Sequence, residues 1–249
     1  MAPRRGASTL VRRRAVPWHP LGVGLLGSLS AAPVLVAAGA AAPATLVGPL
    51  VYLAGAGIVA RRWPHRALGA ANQITLLRLV GVSWVAATLP QAWRGSWTPS
   101  TSLLVVGVGT LSLLLDGLDG HVARRWGGAT AFGARFDAET DAALVLMLSL
   151  AVPLLGIAGW WVLLTGVMRY GFLAASLRWR WLGGDLFASQ ARKVVGVSQG
   201  IALLAALLSP LVPAVPRAAP GVVVAVAFAA LCWSFGRDAR WLHGRRPAR

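Results

Sequence analysis

Asp116, Asp119, Asp137 and Asp141 are four of only seven acidic residues in the chain, and they stand inside one short stretch, D-G-L-D-G-H-V-A-R-R-W-G-G-A-T-A-F-G-A-R-F-D-A-E-T-D. On a helix, residues three or four apart share a face. Asp116 and Asp119 therefore point the same way, as do Asp137 and Asp141, and Gly120, Ala123 and Arg124 extend the first stripe by a further turn. Two such helices, joined by the glycine-bearing segment from Arg125 to Gly133, could gather four carboxylates around one small volume.

Carboxylates crowded in this way repel one another, and unaided some would protonate. Divalent cations remove the difficulty. Hard oxygen donors in this number suit Mg²⁺, Mn²⁺ or Ca²⁺, and Mg²⁺ commonly shares its shell with substrate phosphates. Two metals held by carboxylates, with an arginine beside them, are apparatus for attack at phosphorus. Arg124 offers a forked donor to a diphosphate, and Gly120, Ala123 and Gly133 leave room for a bulky ligand close to the backbone.

Asp116, Asp119, Gly120, Ala123, Arg124, Gly133, Asp137 and Asp141 together read D-x-x-D-G-x-x-A-R-x(8)-G-x-x-x-D-x-x-x-D. This resembles the signature of the CDP-alcohol phosphatidyltransferase family, with no position missing. The plain alternative is an acidic loop between two membrane helices, but carboxylates at a membrane are costly and rare without a purpose. Further upstream, Asn72-Gln-Ile-Thr-Leu-Leu-Arg78 is similar to the opening of the first core helix in that family. Asn72, Thr75 and Arg78 fall roughly on one helix face and would border the site. Equally, Asn72 would cap the helix and Arg78 would snorkel to lipid phosphate.

The elements that must hold these residues are membrane helices. The chain is 57% hydrophobic and only 12% charged, against about a quarter charged in soluble domains. Apolar runs of helix length recur along it. A net charge of +17 invites a nucleic-acid reading, but the arginines sit between apolar runs, the pattern of cytoplasmic loops. The single Cys232 excludes an intrachain disulfide and a thiol-rich metal site.

Eight spans are expected. Basic residues 1–20 precede a run from Leu21 to Ala42, long for a signal-peptide core and followed at once by another apolar segment, so an uncleaved first span is expected. Pro43 marks a turn, and Ala44 to Ala60 forms the second span of an N-terminal hairpin without evident chemistry. Arg61 to Ala71 is basic and too polar to span, so it reads as a segment lying at the interface. Six spans follow: residues 72–93, 102–115, 137–155, 159–176, 194–212 and 221–235, the last leading into a basic tail. With the N-terminus cytoplasmic, every arginine outside the membrane except Arg94 and Arg217 lies on the cytoplasmic side, and both aspartate pairs face it. Many of the tryptophans, Trp18, Trp93, Trp97 and Trp241 among them, fall near span boundaries, as an aromatic belt should. Arg169 lies inside a span, where a cation needs a partner or a function.

The fold class expected is thus all-α: a polytopic membrane bundle with residues 1–60 as basic N-terminus and hairpin, and residues 61–249 as interfacial segment and six-span catalytic domain. The resemblance implies transfer of a phosphatidyl group from a CDP-alcohol, CDP-diacylglycerol foremost, to an alcohol, releasing CMP in phospholipid biosynthesis. It implies Mg²⁺ or Mn²⁺, two ions per site, held by Asp116, Asp119, Asp137 and Asp141. The CDP donor would lie along Asp119, Gly120, Ala123, Arg124 and Gly133, with Asp141 as candidate base. Thr75, Arg78, Arg169, Arg192 and Lys193 are candidates for binding the acceptor or its phosphate. The run from Arg192 to Gln199 resembles a basic segment in phosphatidylglycerophosphate-synthase-like members, but lacks their second lysine and threonine, so the acceptor does not carry over. Family members often form homodimers, and an integral place in the cytoplasmic membrane with the site facing the cytoplasm is expected; nucleic acid is not. Two rivals are a Mg²⁺-dependent prenyltransferase of UbiA type, whose acidic motifs usually lie far apart, and a cation transporter, which leaves Gly120, Ala123, Arg124 and Gly133 unexplained.

Overall fold

A computed structural model describes residues 16–62, 69–125, 130–184 and 189–245, without side-chain detail for residues 118–125. The interfacial segment expected around residues 61–71 lies mostly outside the described residues, as does most of the basic N-terminus. Among the described residues there is no strand, and helix runs almost throughout them. That is what a bilayer demands, because each backbone N–H and C=O must find its partner within the segment.

The helices are α1 (Trp18–Leu29), α2 (Ala31–Ala37), α3 (Val47–Arg61), α4 (Ala70–Trp93), α5 (Pro99–Arg125), α6 (Ala131–Leu154), α7 (Leu163–Arg178), α8 (Gln190–Leu208) and α9 (Ala219–Gly244), with short 3₁₀ turns between some of them. Among the described residues seven segments are long and apolar enough to cross a membrane, α1 and α2 counting together as one, and the protein is a multi-pass membrane bundle. The eighth expected span is α6. It has the length, but Arg135, Asp137, Glu139 and Asp141 crowd its first half and deny it an uninterrupted apolar window. α6 packs instead among α4, α7 and α8.

Several boundaries differ from expectation: α5 runs from Pro99 to Arg125 rather than over 102–115, and α6 starts at Ala131 rather than at Asp137. The first hairpin turns at Gly39, whose φ of 92° suits glycine, and Pro43 sits in the first turn of the following 3₁₀ segment. α9 runs on to Gly244 because its polar end is anchored, with Asp238 and Leu242 both buried.

α4 is the central post, in contact with α1, α3, α5 and α6, while α8 packs on α5, α6 and α9. The main core gathers Val82, Val85, Val105, Leu148, Val152, Leu203 and Leu207 from four helices, all fully buried. Close approach is built in: a methyl group at Gly81 would lie 2.8 Å from the Ser112 hydroxyl, so α5 side chains pack directly on the α4 backbone there. A second cluster joins the hairpin to the end of the bundle that carries Asp137, with Leu21, Tyr52 and Val59 packed on Leu76, Leu79 and Phe136. Tyr52 is wholly buried and donates its hydroxyl proton to the Leu21 carbonyl at 2.8 Å. The hairpin thereby buttresses Phe136, the residue next to Asp137.

Candidate active site and metal centre

α5 continues as helix through Asp116 and Asp119 to Arg125, so the first aspartate pair sits on its final turns. α6 begins just after Thr130, whose hydroxyl oxygen accepts from the Gly133 N–H at 2.9 Å. This N-cap satisfies one of the free donors of the first turn and sets the level at which Asp137 and Asp141, one turn apart, face α5.

Asp116, Asp137 and Asp141 converge. One oxygen from each lies within 4.8 Å of the others, and the three side chains are 31, 33 and 42% exposed. They are partly exposed and close enough together to share a cation. Hard carboxylate oxygens at this spacing suit Mg²⁺ or Mn²⁺, so the donor set fits a divalent metal. Asp119, Gly120, Ala123 and Arg124 follow Asp116 on the same helix, but their side chains lie outside the described residues.

Beneath the carboxylates lies Arg78. Its side chain is only 1% exposed, and its guanidinium reaches all three: Nη1 donates to Asp137 Oδ1 and lies 3.1 Å from Asp116 Oδ1, while Nη2 donates to Asp141 Oδ1. Three negative charges thus face one positive charge among these groups. A buried guanidinium without such partners would carry a desolvation penalty of several kcal/mol. Thr75, one turn before Arg78, is buried and its hydroxyl donates to the Ala71 carbonyl at 3.1 Å.

Gly133 stands where α4 and α6 begin together. A methyl group there would lie 2.6 Å from Asn72 Oδ1 and 3.1 Å from the Thr130 hydroxyl oxygen. The motif glycine thus admits the Asn72 amide to the edge of the site. Gly69, not Asn72, is the N-cap of α4.

The remaining basic candidates divide. Arg169 on α7 donates to Glu139 at 3.1 Å, an exposed pair joining α6 and α7. Glu139 is the acid between Asp137 and Asp141 in sequence, and two residues along a helix turn a side chain to the opposite face. Arg192 Nε donates to Asp238 Oδ2 at 2.8 Å, and Arg237 Nη2 donates to Asp238 Oδ1 at 3.2 Å and to the Ser189 hydroxyl at 2.8 Å. Ser189 also caps α8 by accepting from the Arg192 N–H. Lys193 is exposed. A methyl at Gly109 of α5 would meet Leu204 of α8, and one at Gly200 of α8 would meet Leu113 of α5. The two helices therefore run antiparallel, which brings Arg192 to the same end of the bundle as Asp116.

Sequence reasoning passed over Glu139, Asp238 and Arg237. One signal was present: in a chain with seven acids, each acid on a helix among apolar residues marks a partner to be found.

A family model for CDP-alcohol phosphatidyltransferases matches residues 68–235, more than half of the chain. No curated protein and no solved structure matches it.

Proposed function

Since the chain belongs to the CDP-alcohol phosphatidyltransferase family, a family of transferases, we propose that it moves the phosphatidyl group of CDP-diacylglycerol to an alcohol acceptor, with release of CMP, in phospholipid synthesis. One observation carries this reading: three motif carboxylates from two helices lie within 4.8 Å of one another, close enough to share a cation, and are partly exposed.

In this mechanism Asp116, Asp119, Asp137 and Asp141 hold two Mg²⁺ or Mn²⁺ ions. When bound, the ions neutralise the diphosphate and stabilise the charge that develops on the leaving phosphate. Arg124 pairs with the diphosphate as a fork, and Gly120, Ala123 and Gly133 accommodate the nucleotide. The Asp141 carboxylate takes the proton of the acceptor hydroxyl, whose oxygen bonds to the phosphatidyl phosphorus as the bond from that phosphorus to CMP breaks. Proton removal needs hydrogen-bond reach, and the partial exposure of Asp141 supports it.

Arg192 and Lys193, near the same end of the bundle as Asp116, form a basic surround for an acceptor with Thr75 at the edge; Arg192 is held by the buried Asp238, whereas Arg169 is engaged by Glu139 on the opposite face of α6. The diacyl tails lie in the bilayer while the site faces the cytoplasm, where nucleotide and Mg²⁺ are found. The active form is a homodimer, and residues 1–60 are an appendage to the catalytic domain of residues 61–249.

The test is CMP release by purified protein in detergent with CDP-diacylglycerol and Mg²⁺, against glycerol phosphate, inositol phosphate, inositol, serine and phosphatidylglycerol. Release that depends on an acceptor, and is lost with EDTA and in Asp141→Asn, supports the reading. Folded protein that neither turns over nor binds the donor refutes it.

A further inference from the structure

Among the described residues, Arg78 is a feature of the acidic cluster that a metal site does not call for. A guanidinium placed among metal ligands repels the incoming ion: a charge near a divalent cation at a few ångströms acts unfavourably by several kcal/mol even at an effective dielectric of about 20. Yet Arg78 is buried, sits on the central helix, and spans carboxylates of both α5 and α6. Its fork matches that task, since a planar guanidinium can hold several oxygens at once and an ammonium cannot do so in the same geometry. The buttressing cluster around Leu76 and Leu79 fixes the α4 backbone on either side of it.

We propose that Arg78 is an internal counter-ion and positioning residue. It holds Asp116, Asp137 and Asp141 together in the metal-free protein, and it lowers the site's affinity for free divalent cations so that they bind firmly only with the donor's diphosphate. The metal arm of this inference rests on the function proposed above; the charge-compensation arm does not. Removing Arg78 takes away the positive charge that all three clustered carboxylates share, so it destabilises the metal-free state. It also removes a repulsive charge from the metal-bound state. By linkage, a change that destabilises the metal-free fold more than the metal-bound one tightens metal binding.

The experiment uses the full chain in detergent. Thermal unfolding is followed in EDTA for wild type, Arg78→Gln, Asp137→Asn and the double variant, and Mn²⁺ binding is measured by electron paramagnetic resonance without nucleotide. Arg78→Gln should lower Tm in EDTA by about 5–10 °C, on the scale of a broken buried ion pair. Asp137→Asn should recover part of that loss in the double variant, because it removes one of three mutually repelling charges. Mn²⁺ should bind Arg78→Gln at least tenfold more tightly than wild type and restore its Tm. Arg78→Lys, which keeps the charge, should fold with an intermediate Tm in EDTA, and it decides the matter if Arg78→Gln does not fold. A double variant no more stable than Arg78→Gln, a Lys variant no better than Gln, or Mn²⁺ binding unchanged or weakened in Arg78→Gln overturns the proposal. Should Mn²⁺ bind none of the proteins, the metal reading of the site and the affinity claim both fall, and the cycle in EDTA still judges the counter-ion.

Discussion

The replacement Gly133→Ala separates catalytic geometry from fold stability. The added methyl would lie 2.6 Å from Asn72 Oδ1, so the amide must retreat by about 0.8 Å to ordinary van der Waals contact. Asn72 is a short polar side chain in the first turn of α4 and can rotate away without moving backbone. The methyl also crowds the Thr130 hydroxyl at 3.1 Å, threatening a helix cap worth about 1 kcal/mol. Against this, alanine gains about 0.5–1 kcal/mol over glycine inside a helix. These terms nearly cancel, so Tm should stay within about 4 °C of wild type. Activity has no such compensation. Displacing a positioned group by about 1 Å can cost about a hundredfold in rate, so kcat/KM for CMP release should fall about tenfold to a hundredfold. The assay titrates CDP-diacylglycerol at saturating Mg²⁺ beside a thermal melt of the same preparation. Activity within twofold of wild type at unchanged Tm would show that neither Gly133 nor Asn72 shapes the site. A Tm loss above about 10 °C would show that the glycine serves packing first.

Three further substitutions probe the scaffold. Asp238→Asn leaves Arg192 and Arg237 without their buried carboxylate; because both arginines are partly exposed, the cost should be about 2 kcal/mol rather than the full value for a buried pair, read as a lower Tm. Tyr52→Phe keeps the ring in its cluster and loses only the bond to the Leu21 carbonyl, so Tm should fall by the equivalent of about 1 kcal/mol while CMP release stays within twofold; a larger loss of turnover would tie the hairpin to catalysis. At Gly166 a side-chain carbon would lie 2.6 Å from the Leu146 Cα, which is backbone and cannot rotate away. Gly166→Val should therefore separate α7 from α6 at about 1–3 kcal/mol, and a melt indistinguishable from wild type would refute the close contact.

What the sequence determined by itself was whatever depends on local spacing. Apolar runs of membrane length dictate helices, because the bilayer offers no other partner to the backbone. Spacings of three and four residues in 116–141 place carboxylates in pairs on helix faces, and the motif that joins the pairs names the family that the family model also finds. Even so, α6 shows a limit of span counting: its charges belong to the site and interrupt the apolar window that would mark it.

Only the tertiary structure decided which distant residues complete each charge. Arg78 lies 59 residues from Asp137 and 63 from Asp141, and a helical face can be read locally while the neighbour it meets cannot. The sequence left Arg78 open between site and lipid; the packing of α4 against α5 and α6 buries it under the carboxylates. Arg169 met Glu139, and Arg192 met Asp238 across 46 residues. Pairings of this kind depend on helix rotation and depth, which are set by where small residues such as Gly48 and Gly166 allow backbones to touch.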